Sequence, residues 1–103
     1  MAMTRAIFLD RDGVVIENVD AYVRSWSDVV ILPKALSAIV RLSRTAYKII
    51  IVTNQSAVGR GIISIETAQE INARLLKAIH DSGGRVDGLF MCPHAPEALC
   101  GCR

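Results

Sequence analysis

The sequence predicts an α/β fold, a doubly wound parallel sheet sandwich of alternating strands and helices. Three observations carry that expectation. Two apolar runs, Ala6-Ile7-Phe8-Leu9 and Ile49-Ile50-Ile51-Val52, are continuous rather than alternating, as strands of parallel sheets are. Apolar residues at helical spacing follow each of them. The resulting order, strand–helix–strand–helix–strand, favours parallel pairing through right-handed crossovers.

The elements follow in chain order. The first strand, residues 6–9, ends on Asp10. Residues 14–32 read as irregular, with Tyr22 and Trp26 among polar neighbours. Pro33 suits the first position of a helix. Ala35, Ile39, Leu42 and Ala46, widened by Leu36 and Val40, give that helix its apolar stripe. The second strand, residues 48–52, ends on Thr53, and a loop with Gly59 and Gly61 comes next. Ser64 is the expected cap of a second helix, with Glu66 in its positive first turn. Ala68, Ile71, Leu75 and Ile79 form the buried face, and Gly83-Gly84 ends the helix. Residues 86–91 read as a third strand, and a Cys/His segment closes the chain.

With 103 residues, 51% of them hydrophobic, the chain is expected to form a single globular domain, 1–103. A net charge of +2 with scattered arginines gives no footprint for nucleic acid. No apolar stretch approaches the roughly 20 residues of a membrane helix. The amino terminus does not read as a signal peptide, which makes the cytoplasm the expected compartment. The pattern leaves oligomeric state open.

Asp10-Arg11-Asp12-Gly13 stands where the first strand ends, the edge at which such sheets bind ligands. Side chains two apart on an extended chain share a face, so both carboxylates are expected in one crevice, with Arg11 pointing elsewhere. Gly13 permits a sharp turn afterwards. Paired carboxylates favour a cation, and oxygen ligands completed by phosphate suit Mg²⁺. A carboxylate held against such a phosphate can attack phosphorus, and a neighbouring acid can protonate the leaving oxygen and later activate water. The second strand brings Thr53-Asn54-Gln55-Ser56 to the same edge as phosphoryl hydrogen-bond donors, and Arg60 offers a cation for a second anionic group. The bland alternatives are an Asp/Gly turn and a polar loop capping a helix. Two polar strand ends side by side favour a small phosphorylated metabolite as ligand.

Phe8-Leu9-Asp10-Arg11-Asp12-Gly13-Val14 and Thr53-Asn54-Gln55-Ser56-Ala57-Val58-Gly59-Arg60-Gly61 resemble the first two motifs of the haloacid dehalogenase superfamily. The resemblance is to the branch of the heptose 1,7-bisphosphate phosphatases and histidinol phosphatases, and it covers essentially the whole chain. It implies a Rossmann-like domain without a large cap and a Mg²⁺-dependent phosphatase. In that reading Asp10 is the nucleophile, Asp12 the general acid/base, and Thr53 a stabiliser of the transferring phosphoryl group. Mg²⁺ is held by Asp10 and by Asp12, usually through the Asp12 carbonyl. Asn18, Val19, Asp20 and Ala21 match one substrate-contact segment, Thr53, Asn54, Gln55 and Ser56 another, and Arg103 a substrate-recognition arginine. The implied substrate is a sugar bisphosphate of the heptose type, with histidinol phosphate as the alternative. Ala57 stands where a Gly is common.

Cys92-Pro93-His94 and Cys100-Gly101-Cys102 form C-x-H-x5-C-x-C, three thiols and an imidazole suited to a closed Zn²⁺ site in a loop over 92–102. The same phosphatase branch carries such a loop, where the metal is structural. The family pattern continues with Lys-Pro and a later acidic motif beyond Arg103, so the expectation is an amino-terminal part of a longer enzyme. A catalytically incomplete, zinc-stabilised fragment that binds phosphate or a partner is the competing reading. A receiver domain would need its acceptor Asp at the end of the third strand, where Met91-Cys92 stands. His80, Asp87 and Trp26 are expected to be structural.

Overall fold

The computed structural model describes residues 4–94 and 101. Three strands form one parallel sheet, β1 (Ala6–Asp10), β2 (Lys48–Asn54) and β3 (Gly88–Cys92), in the order β1-β2-β3. β1 pairs with β2 from Ala6↔Lys48 to Asp10↔Val52, and β2 with β3 from Ile50↔Gly88 to Asn54↔Cys92. The carboxyl ends of all three strands therefore meet at one edge, where Asp10, Thr53 and Asn54 stand.

α1 (Pro33–Leu42) starts on Pro33 as the sequence suggests, but stops before Ala46. The reason is local. Ser43 Oγ donates to the Ile39 carbonyl at 2.6 Å and Thr45 Oγ1 to the Leu42 carbonyl at 2.6 Å. These hydroxyls serve the last carbonyls in place of further backbone N–H groups. α2 (Ser56–Gly59) is a single turn inside what the sequence presents as a loop. α3 (Ile65–Asp81) is capped by Ser64, whose Oγ accepts from the Thr67 N–H at 3.0 Å. It ends where Gly83 adopts φ +92°. The Gly83 and Gly84 N–H groups then close back on the His80 and Ile79 carbonyls, both at 2.9 Å, a Schellman arrangement. β3 starts two residues later than residues 86–91 suggest. Arg85 Nη2 donates to the Thr45 and Tyr47 carbonyls, both at 3.1 Å, and pins the approach to β3 against the turn before β2.

The core forms where α1 and α3 lie on the sheet. Ile39 of α1 and Ile71, Leu75 and Ile79 of α3 pack with Ile49 and Ile51 of β2 and with Val15, Ile16 and Val23 from the segment after β1. Leu9 and Leu89, level with Ile51 in the neighbouring strands, join the same face. The alternate positions, Phe8, Ile50, Val52 and Phe90, belong to the opposite face. Phe8 is 67% exposed and Phe90 64%. The continuous apolar runs thus do build two apolar faces, and among the described residues both helices cover the same one. Among these residues no helix is long and apolar enough to cross a membrane.

Candidate active site

Immediately after β1 the chain folds onto the Arg11 carbonyl, which accepts the N–H groups of Val15 and Ile16 at 3.0 and 2.9 Å. Gly13 makes this turn possible with φ +83°, a conformation costly for residues with a Cβ. Val15 and Ile16 are buried by it, and Asp12 is left at the strand end. Residues 17–30 then make an excursion closed at its base by Glu17 N–H to the Val30 carbonyl at 2.7 Å and Leu32 N–H to the Val15 carbonyl at 3.0 Å. Within it Tyr22 takes φ +66°, an uncommon conformation for a bulky residue.

The excursion and the strand ends enclose an open cavity of about 350 Å³. Arg11 and Asp12 line it from the first motif, Asn54, Gln55 and Ala57 from the second, and Asn18, Val19, Asp20, Tyr22 and Val23 from the excursion. The two polar strand ends are thus brought together as the sequence suggests. Thr53 Oγ1 donates to Asp12 Oδ2 at 3.2 Å, a direct bond between them.

Other expectations fare differently. Arg11 does not point away from the acids. It is 3% exposed, and its Nε and Nη2 donate to the two Asp12 carboxylate oxygens at 3.3 and 3.0 Å. A guanidinium removed from water is held by such a fork and by further acceptors, and the nearest carboxylate supplies the fork. Asp10 is exposed at the end of β1 and lies outside the cavity lining, as do Thr53, Ser56 and Ala21. Ala21 instead uses its carbonyl to accept from Arg24 Nε at 3.0 Å. Arg60 is an exposed cap of α2, its N–H bonded to the Ser56 carbonyl at 2.8 Å, and is also outside the lining.

Sequence reasoning missed Asn72 of α3. It is 5% exposed, accepts from Arg11 Nη1 at 2.8 Å, and donates to Gln55 Oε1 at 2.8 Å. The signal was present. Asn72 falls four residues after Ala68 and three before Leu75, so a polar side chain stands in the apolar stripe, where it needs partners.

Asp10 and Asp12 offer hard oxygen donors at one strand end, a set that suits Mg²⁺. Among the described residues no group of three or more His, Cys, Asp or Glu gathers as a metal cage. Of the four expected zinc ligands, Cys100 and Cys102 lie outside the described residues, as does Arg103. Cys92 Sγ is 3.9 Å from His94 Nδ1.

No family model matches the chain. It is 41% identical over 99 residues to a D-glycero-beta-D-manno-heptose-1,7-bisphosphate 7-phosphatase of Bordetella bronchiseptica, covering 96% of this chain and 55% of that protein. It is 40% identical over 98 residues to the D-glycero-alpha-D-manno-heptose-1,7-bisphosphate 7-phosphatase of Mycobacterium tuberculosis, covering 94% of this chain and 52% of the relative. Among solved structures, the D,D-heptose 1,7-bisphosphate phosphatase of B. bronchiseptica, complexed with magnesium and phosphate, superposes with a TM-score of 0.91 at 41% identity. That match covers 97% of this chain and 56% of the solved one. The chain therefore spans about half the length of the relatives it matches. Likeness at this level over nearly the whole chain, on a parallel sheet whose two polar strand ends meet, relates it to the haloacid dehalogenase-like phosphatases, and the relatives it matches are heptose 1,7-bisphosphate phosphatases.

Proposed function

We propose that this chain carries the phosphoryl-accepting half of a Mg²⁺-dependent phosphatase acting on a heptose 1,7-bisphosphate. The observation that carries the reading is the Asp12–Thr53 bond, which joins the two motifs at one place beside the cavity that Asp12 lines. The relative solved with magnesium and phosphate supports the ligand class.

In this reading an Asp10 carboxylate oxygen attacks phosphorus, and the bond from phosphorus to the sugar oxygen breaks. Asp12, protonated, gives its proton to that leaving oxygen. The ionised Asp12 then takes a proton from a water that attacks the aspartyl phosphate, which frees Asp10 and inorganic phosphate. Thr53, whose one hydroxyl proton goes to Asp12 Oδ2 in the structure, would give it instead to a transferring phosphoryl oxygen when phosphate is bound. Asn18, Val19, Asp20, Asn54 and Gln55 line the sugar's side of the cavity, with Ala21, Ser56 and Arg60 at its margin. Asp10 and Asp12 would hold Mg²⁺, which when bound offsets the negative charge of the phosphoryl group. Cys92, His94, Cys100 and Cys102 would hold a structural Zn²⁺ when reduced. The chemistry belongs to carbohydrate metabolism, and the cytoplasm is the compartment that keeps those thiols reduced.

The test is phosphate release by the chain, with and without Mg²⁺, from both heptose 1,7-bisphosphate anomers and from histidinol phosphate. Release that needs Mg²⁺ and prefers a heptose bisphosphate is expected. Absence of turnover from any of the three, together with about one zinc per reduced chain, overturns it in favour of a zinc-stabilised fragment. The chain's span of about half its relatives gives that second reading its footing.

A further inference from the structure

We infer that Asn72, through Arg11, is a positioning residue for the acid/base carboxylate Asp12, and that it locks the two strand-end motifs in register. The inference rests on the proposed role of Asp12. Three observations carry it. Asn72 lies on α3, in neither motif, yet its amide is bonded to both: Oδ1 accepts from Arg11 Nη1 and Nδ2 donates to Gln55 Oε1, each at 2.8 Å. Arg11, Asn72 and Gln55 are all buried, at 3%, 5% and 5% exposed, and no buried side-chain nitrogen or oxygen among the described residues lacks a partner. The relay ends on Asp12, whose two oxygens receive Arg11 Nε and Nη2 while Oδ2 also receives Thr53 Oγ1.

The geometry explains what a buried cation does beside the acid Asp12. Arg11 follows β1 directly and its backbone N–H still bonds the Val52 carbonyl at 3.0 Å, so its backbone cannot swing. Asn72 fixes the far end of its guanidinium. A planar fork clamped at both ends leaves Asp12 one rotamer, with its Oδ2 turned to Thr53. Without the amide, Nη1 would lose its acceptor inside the protein and the guanidinium would seek another, taking the Asp12 carboxylate with it. Gln55, which lines the cavity, would lose its anchor in the same event. A residue outside both motifs thereby sets the orientation of the proton donor and of one substrate-facing amide together.

The test is a double-mutant cycle on kcat and KM with Mg²⁺ and heptose 1,7-bisphosphate, using Asn72→Leu, Arg11→Lys and the pair. Asn72→Leu keeps the shape and removes both bonds. It is expected to lower kcat about tenfold or more, with any rise in KM reporting the loosened Gln55. If Asn72 acts on Asp12 through Arg11, the kcat of the pair falls no further than that of Arg11→Lys alone. Independent, multiplying losses mean that Asn72 only supports the fold, and overturn the inference while leaving the phosphatase reading intact. An Asn72→Leu kcat within about twofold of the parent does the same. The second measurement needs no turnover. The Arg11 Nε–H resonance in ¹⁵N-labelled protein is expected to be resolved and slow to exchange, and to lose protection at least tenfold in Asn72→Leu at a temperature where that variant is folded by its backbone spectrum. Unchanged protection overturns the inference even if the parent chain fails to turn over, an outcome that separately sinks the phosphatase reading.

Discussion

At the scale of single residues, the catalytic candidates separate by what holds them. Asp12 is gripped by Arg11 and Thr53, whereas Asp10 stands exposed at the end of β1. The Asp10 side chain therefore contributes little to the fold and, in the proposed reaction, supplies the nucleophile. Asp10→Asn is expected to reduce phosphate release to background while leaving the unfolding midpoint in urea within experimental scatter. Turnover surviving that change would remove Asp10 from the nucleophile's role. Thr53 belongs to the other kind, because it is buried and its hydroxyl donates to Asp12. Thr53→Val keeps the shape and leaves Asp12 one donor short, with an expected loss in kcat of about tenfold or more, by analogy with a removed oxyanion donor. The sequence showed both acids and Thr53 because strand-end position is readable from an apolar run that stops. It did not show the direction of Arg11. The alternation rule sends residues 10 and 12 one way and residue 11 the other, but that rule holds only while the chain stays extended, and Gly13 ends the extension at once.

At the scale of elements, boundaries that depend on caps were legible and boundaries that depend on side-chain competition were not. Ser64 and Gly83-Gly84 bracket α3 as their residue types demand. The early end of α1 turns on Ser43 and Thr45 bonding backwards, which periodicity does not register. The cap of α3 is measurable. Ser64→Ala leaves the Thr67 N–H without its acceptor and is expected to cost about 1 kcal/mol in urea unfolding, whereas Ser64→Asp keeps the acceptor and most of that stability. Gly84 tests the packing of α1 against α3. A Cβ there would stand 2.7 Å from Ile79 Cγ2 and 3.3 Å from Ile39 Cγ2, and also 3.1 Å from the Ile79 carbonyl oxygen. Side chains can yield but that carbonyl accepts the Gly84 N–H and cannot move far, so Gly84→Ala is expected to destabilise by roughly 1–3 kcal/mol. A neutral result would mean that the two helices separate more easily than their shared core implies.

At the scale of the whole molecule, the decisive feature is the sheet face that α1 and α3 leave alone. Phe8, Ile50, Val52 and Phe90 alternate with the core-facing residues, and the two phenylalanines keep about two-thirds of their surface in water. Among the described residues the order β1-β2-β3 also leaves the outer edge of β1 outside the ladder, beside an apolar hollow lined by Leu9, Val14, Leu32 and Ala38. Runs such as Ile49-Ile50-Ile51-Val52 lead to the expectation of a strand covered on both faces, whereas among the described residues α1 and α3 cover one, because a run cannot say which residues cover the second. Contiguous apolar surface next to an open strand edge drives association between chains. Sedimentation velocity on this chain should therefore show a weight-average mass that climbs with concentration. Replacing the two rings by Phe8→Thr and Phe90→Thr keeps β-forming residues in β1 and β3 and removes most of the exposed aromatic surface. The double variant should stay at the monomer mass over the same range and keep its unfolding midpoint within about 1 kcal/mol of the parent, since neither ring is buried. A parent chain that remains monomeric at high concentration would show that this face is already covered in solution. A variant that loses several kcal/mol would show that the rings are packed rather than exposed, and either outcome would move Phe8 and Phe90 into the core.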